Sequence, residues 1–284
     1  MSQVFYNRLC TCGRSSVVRL TYRNHRITVQ HFRVPIVKEE GQVVLGQKVS
    51  KGVILAAGDG NRLGSLTRTY PKVLLPLSNK EPLITYPIRA LAAAGIREIA
   101  IVVGHLGDKV MQNLGDGSRF GVTFEYIVNP DYLGGNAISV FKAREWARGD
   151  PVILCMGDHL IEENLVRHLL DNQTSKNTLC IDYTPAPYHQ IDEATKVTVD
   201  STGCIKDIGK ELVYWDALDT GVFLLTESFF QAIDELVQYR GTDVETADVI
   251  RLLISKGHHF GTCNVSGYFW MDVDTEEDLR VARL

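Results

Sequence analysis

The chain is short of the features that mark a membrane protein, a secreted one or a disulfide-built scaffold. Across 284 residues, no apolar run approaches the ~18 to 20 residues that a membrane helix needs. The first residues also lack the short apolar segment of a secretory signal, so an intracellular, cytoplasmic protein is expected. The six cysteines, Cys10, Cys12, Cys155, Cys180, Cys204 and Cys263, are scattered. Most lie in apolar, strand-like runs where cysteine behaves as a small buried hydrophobe. Cys10 and Cys12 are the one close pair, and no matching pair downstream completes a zinc site. Internal repeats and low-complexity tracts are missing as well.

Acidic residues are absent until Glu39. Residues 1–50 hold eight Lys or Arg against only Glu39 and Glu40, so the formal net charge of −4 arises entirely from residues 51–284. A basic start of this kind fits an arm for nucleic acid or membrane, a targeting segment, or a stretch preceding a true start near Val49. The alternation from Ile27 to Val34 allows a strand, and the stretch around Gly41 and Gly46 separates it from the rest. Residues 1–50 are therefore read as a basic appendage of unassigned role, with no nucleic-acid or membrane partner assigned, and residues 51–284 as the functional domain.

From Gly52 short apolar strands alternate with amphipathic helices, the rhythm of a doubly wound, mostly parallel α/β sheet. Strands are expected at Val53–Ala57, Ile99–Val103, Thr123–Val128, Val152–Met156, Thr178–Tyr183 and Val222–Leu225. Helices are expected at Leu83–Leu91, with Pro87 imposing a late start or a kink, and at Asp108–Leu114, Asn136–Ala147, Glu162–Leu170, Glu227–Val237, Val244–Ile254 and Thr275–Leu284. The segment "KVTVDSTGCIKDIGK" breaks the rhythm with two alternating runs around Ser201-Thr202-Gly203. It reads as a β-hairpin inserted into the α/β frame.

The first strand runs into "ILAAGDGNRLGSLTRTYPKVLLPL". Gly58, Gly60 and Gly64 let backbone N–H groups approach phosphate oxygens, and Arg62 and Lys72 add positive charge, which makes a cradle for a polyphosphate. The spacing is neither that of a P-loop nor that of the dinucleotide fingerprint. Further on, "VILCMGDH" sets Asp158 at the carboxyl end of a strand, where open α/β sheets bind ligands. Near the end of the chain, "GYFWMDVDTEEDL" offers Asp272 and Asp274.

As a whole, Leu55-Ala56-Ala57-Gly58, Gly60, Arg62-Leu63, Thr67, Pro71-Lys72, Leu74 and Pro76 resemble, in order, the opening motif of the nucleotidyltransferases that make sugar nucleotides. The resemblance runs from about Lys51 to the C-terminus. It implies a Rossmann-like fold and a Mg2+-dependent attack of a phosphomonoester on the α-phosphate of a nucleoside triphosphate. It places Arg62 and Lys72 on the reacting phosphates and makes Asp158 and Asp272 the metal ligands, with Asp274 second to Asp272. Physics leaves Asp274, Glu276 and Glu277 the alternative of a helix N-cap and first-turn acids. The nucleotide falls to Leu55, Ala56, Ala57, Gly58, Gly60 and Asn61, with Gly135, Asn136 and Ser139 in a loop that closes on base and ribose; a plain turn with Asn136 as N-cap is the alternative there. Lys210 and Asp219-Thr220-Gly221 fall to the phosphorylated acceptor.

Within the family, "MGDH", "IDEATKV", "DIGK" and "DTGVF" look most like the inositol-1-phosphate cytidylyltransferases. That likeness implies CTP and myo-inositol 1-phosphate as substrates, CDP-inositol as product, a place in compatible-solute synthesis, a CDP-alcohol phosphotransferase as fused or separate partner, and a homodimer as a candidate assembly. The Glu and Pro that accompany Lys in hexose-specific members are missing beside Lys210. Phosphocholine would want an aromatic cage, for which Tyr188, Tyr214 and Trp215 are the candidates. A non-catalytic sugar-nucleotide-binding regulatory protein is the reading from another class.

Overall fold

The structure is a computed structural model that describes residues 49–173 and 176–284 in full, and the backbone of three strands before them. The chain divides into two compact units, residues 1–46 and 47–284. In the first, β1 (Val4–Thr11), β2 (Arg14–Arg23) and β3 (Arg26–Arg33) form an antiparallel sheet in that order. The strand expected at Ile27–Val34 is β3. The possible metal pair Cys10 and Cys12 lies outside the residues described in full.

In the second unit, β4 (Lys51–Ala56) leads through α1 (Thr85–Ala93), β5 (Glu98–Val103) and α2 (Gly107–Leu114) to β6 (Thr123–Val128). Helices α3 (Asn136–Lys142) and α4 (Arg144–Ala147) return the chain to β7 (Val152–Met156). Then come β8 (His159–Ile161), α5 (Leu165–Asn172), β9 (Asn177–Asp182), β10 (Lys196–Val199), β11 (Ile205–Gly209) and β12 (Ala217–Leu225). The chain closes with α6 (Glu227–Arg240), α7 (Thr246–Ser255), β13 (Phe260–Asn264), β14 (Trp270–Asp272) and α8 (Glu276–Ala282).

Strands β7, β4, β5 and β6 are parallel neighbours, with β5 and β7 on opposite sides of β4. The winding therefore reverses between β4 and β7, and their carboxyl ends frame the crevice where such sheets bind ligands. Strand β12 joins β7 antiparallel and carries both the β10–β11 hairpin and the parallel pair β9–β13. The α/β frame and the inserted hairpin are as the sequence leads one to expect.

The central strands are covered on both faces, which is why they read as unbroken apolar runs. Ile54 and Ile101 pack toward α1 residues Ile88 and Leu91, while Val53, Val102 and Leu154 share the other layer with Phe229, Phe230 and Ile250, all fully buried. A third cluster joins Leu63, Leu75 and Leu83 of the opening loop to Leu160, Met271 and Leu279. It fixes the loop against β8, β14 and α8.

Some boundaries differ from expectation. Helix α1 begins at Thr85, so Pro87 falls in the first turn, where its missing N–H costs no hydrogen bond. The single helix expected over Asn136–Ala147 breaks at Ala143. The short pair β8–β14 and strand β13 carry no periodic signal long enough to be read from sequence.

Candidate active site

After β4 the chain turns at Gly60, whose φ is +66° and whose added Cβ would lie 2.9 Å from Lys72 Cβ. Glycine is needed there for conformation and for contact, and Lys72 is pinned against the loop in consequence. Thr67 Oγ1 donates to the Gly60 carbonyl at 2.9 Å. Asn61 donates from its side chain to Asp59 at 2.6 Å, so its amide shapes the loop. Gly157 N donates to Leu55 O at 2.8 Å, and a Cβ at Gly157 would come within 2.6 Å of that same oxygen. The ends of β4 and β7 are thereby drawn together and Asp158 is delivered beside the cradle.

Lys72, nearly buried, bonds Asp158 Oδ2, and it donates to Asp274 Oδ1 at 2.6 Å. Arg62, half exposed, meets Asp274 Oδ2 at 2.6 Å. Burial alone would lower the Lys72 pKa, but the two carboxylates outweigh it and raise the ammonium above its ordinary value. Burial likewise opposes the charge of Asp274, yet Lys72 and Arg62 hold its pKa down at about 2.

This placement corrects the reading of Asp274 as a helix cap. Thr275 is the N-cap of α8: its Oγ1 accepts from Asp278 N at 3.2 Å, and Asp278 Oδ2 accepts from Thr275 N at 2.7 Å. The reciprocal box frees the Asp274 carboxylate for Lys72 and Arg62. Asp272 ends β14 in register opposite His159.

His159, which sequence reasoning missed, donates Nδ1–H to the Thr220 carbonyl at 3.0 Å and keeps Nε2 3.9 Å from Asp158 Oδ1. Burial opposes its charge, but Asp158, Asp272 and the Thr220 carbonyl together raise its pKa. The only signal was its place next to Asp158. Gly221, at φ +75°, gives the ring room, since a Cβ there would fall 2.5 Å from the imidazole.

A cleft of about 760 Å³ opens over these groups. Leu55, Ala57, Gly58, Asn136 and Ser139 line one part, and Lys210, Asp219, Gly221, Asp158 and Asp272 another. Ala56 is buried behind the cradle. Gly135 is a packing glycine, whose Cβ would lie 2.1 Å from Val244 O. Asn136 does not cap its own helix, the alternative its sequence context allows: its Oδ1 accepts from Thr246 N at 2.8 Å at the start of α7, while its own N–H donates to Glu245. Ser139 Oγ accepts from Asn129 at 2.9 Å. Thr220 Oγ1 donates to Cys180 O at 2.9 Å, away from the cleft.

Lys210 is exposed at the cleft, and buried Lys196 donates to its carbonyl at 2.7 Å. Asp219 accepts from Gly221 N at 2.7 Å, and burial lifts its pKa to about 6. No aromatic cage forms from the three candidates: Tyr214 is 87% exposed, Trp215 packs on the core, and Tyr188 lies tilted against His189.

A glycine loop with paired cations and carboxylates thus sits at the switch point of the parallel sheet, where such folds bind ligands. Residues 51–283 match the family described as Nucleotidyl transferase, and the chain belongs to that family. Among curated relatives, it is 33% identical over 235 residues to a "Bifunctional IPC transferase and DIPP synthase" of Aquifex aeolicus, which covers 83% of this chain and 51% of that one. It is 28% identical to a glucose-1-phosphate thymidylyltransferase of Streptomyces griseus, over 82% of this chain and 65% of the other. The chain thus spans about half the length of the Aquifex relative. The solved structure of the inositol-1-phosphate CTP transferase from T. maritima shares the fold, with a TM-score of 0.72 at 24% identity, covering 82% of this chain and 94% of that one. Among the described residues no helix is long and apolar enough to cross a membrane.

Proposed function

We propose that this chain is a cytidylyltransferase that joins CTP to myo-inositol 1-phosphate, giving CDP-inositol and pyrophosphate. The observation that carries the chemistry is the convergence of Arg62, Lys72, Asp158 and Asp274 beside the Gly58–Gly60 cradle. A phosphate oxygen of the acceptor, already anionic near neutral pH, forms a bond to the α-phosphorus while the bond to the bridging oxygen of pyrophosphate breaks. No side chain needs to take a proton. The barrier lies in bringing polyanions together, so charge neutralisation carries most of the rate. Arg62 and Lys72 would transfer their hydrogen bonds from carboxylates to phosphate oxygens, and the backbone at Gly58 and Gly60 would seat the triphosphate. Lys210 would hold the acceptor phosphate.

The carboxylates fit magnesium. Asp158 and Asp272 line one cleft, and Asp158 already binds a cationic ammonium. Among the described residues no cluster of three or more acidic, His or Cys ligands forms a self-contained site. That suits an ion held by one or two carboxylates plus substrate phosphates and water. When bound, Mg2+ supplies neutralisation of the triphosphate.

The choice of acceptor rests on the similarity to the Aquifex and T. maritima proteins and on the cleft, where Gln190, Glu193, Thr195 and Asp219 offer hydrogen bonds to hydroxyls. Pyrophosphate release with Mg2+, four nucleoside triphosphates, and inositol 1-phosphate, phosphocholine or glucose 1-phosphate tests it. Release with CTP and inositol 1-phosphate alone is expected, and in Lys72→Ala it should drop by at least about 100-fold with an unchanged melting temperature. Another productive pair would replace the substrates, and no release with any pair would favour a sugar-nucleotide-binding regulator.

A further inference from the structure

The cleft contains a polar side chain that the fold leaves unsatisfied. His189 is 7% exposed and lines the cleft. Its ring stacks on Trp270, with centroids 4.0 Å apart and planes at 23°, and lies 4.6 Å from the ring of Tyr188. The stack is rigidly mounted: Trp270 Nε1 donates to buried Asp182 at 2.9 Å, and Tyr188 donates to the Trp270 carbonyl at 3.3 Å. Yet His189 Nδ1 is sealed from solvent with no hydrogen-bond partner.

Buried polar atoms are rarely left this way without a reason. If stacking were the only need, Phe would serve at lower desolvation cost. An unpaired buried N–H is the rarer defect, so the sealed Nδ1 is assigned the lone pair and the proton goes to Nε2. Burial also depresses the ring's pKa, outweighing the pull of Asp272 and Asp182, so the imidazole stays neutral near pH 7. Nε2–H is then a fixed, neutral donor on an aromatic wall, and Lys210, Asp219 and Asp272 line the same cleft.

We propose that His189 is a specificity-determining residue, donating from Nε2 to a ring hydroxyl of the phosphorylated acceptor seated against the His189–Trp270 stack. This rests on the reading of the acceptor as a phosphorylated polyol. A neutral donor discriminates by hydroxyl position without competing with Lys210 for the phosphate, and a site built around a donor rejects acceptors that leave it unpaired.

The test uses the full chain with Mg2+, CTP and inositol 1-phosphate. His189→Phe keeps the stack and removes both nitrogens; His189→Gln restores a side-chain N–H. The expected result is a KM for the acceptor raised about tenfold in His189→Phe, partly recovered in His189→Gln, with KM for CTP unchanged. An acceptor KM within twofold of wild type in His189→Phe, or an equal change in both KM values, overturns the proposal. So does the absence of any change in the His189 ring ¹⁵N shifts when inositol 1-phosphate is added to the wild-type protein, a readout that needs neither turnover nor a folded variant. If wild type turns over only glucose 1-phosphate, the polyol reading falls, and the same variants and shifts, measured with that acceptor, decide His189.

Discussion

Asp219 lines the cleft at a cost in stability. It lies within β12 and is half-buried, and desolvation of its carboxyl outweighs the Gly221 N–H bond and His159, raising its pKa to about 6. The folded protein therefore binds the proton more tightly than the unfolded chain. Below the unfolded pKa near 4 both states are protonated and the group is neutral in effect. As pH rises through 6 the folded state must hold a desolvated anion, and stability is lost. Asp219→Asn keeps an oxygen for Gly221 N and removes the charge. A shift of about two pKa units corresponds to about 3 kcal/mol, so this variant should be more stable than wild type by up to that amount at pH 8 and nearly equal to it at pH 4. Urea melts at the two pH values check this. If Asp219 also accepts from the acceptor, the stabilised variant should show a raised acceptor KM, the usual cost of removing strain from a site.

The same scale shows what one sequence discloses about a site. Arg62, Lys72 and Asp158 were legible because the loop and the strand end each permit few uses for such groups, and the structure brings all three together. Asp274 was not, because Asp274 and Thr275 compete for the N-cap and only the reciprocal bond to Asp278 decides between them. His189 was illegible because nothing local marks it: its environment comes from Trp270, far along the chain.

Among elements, the strands were legible where they are buried on both faces and too short to be helices, as with β4, β5 and β7. The segments that assemble the cleft wall were not, since they depend on contacts between distant turns. Helices α3 and α7 begin side by side: Asn136 Oδ1 caps Thr246 N, and Glu245 accepts from Asn136 N while completing its own box with Asp248. Gly134 and Gly135 permit this closeness, lying against Thr242 and Val244 carbonyls. Asn136→Ala should cost about 1 kcal/mol, the usual loss for a cap. Gly135→Ala should cost more, at least about 2 kcal/mol, because its Cβ would meet backbone that cannot rotate away. Chemical denaturation ranks the two, and a Gly135→Ala variant as stable as wild type would show that the turn relaxes freely.

At the level of the molecule, everything assigned to chemistry falls within the second compact unit. The glycine loop, the residues proposed for the metal and the acceptor, and the sheet that carries them all lie between Lys51 and Asp274, and the family match covers 51–283. Both layers of the sheet and the cluster that fastens the opening loop are formed from residues of that unit. In the mechanism proposed above, neutralisation at the reacting phosphates comes from Arg62, Lys72 and Lys210, so the basic character of the first 50 residues is expected to be separable from catalysis. A chain beginning at Gln47 is expected to melt at the same temperature as the full chain and to release pyrophosphate with the same kcat and KM. Its affinity for anionic partners such as nucleic acid or acidic vesicles should fall if residues 1–46 form a binding arm. A truncated chain that folds but turns over at least tenfold more slowly would place a residue of the basic unit in the reaction, and a salt titration of KM for CTP would then show whether it acts through charge.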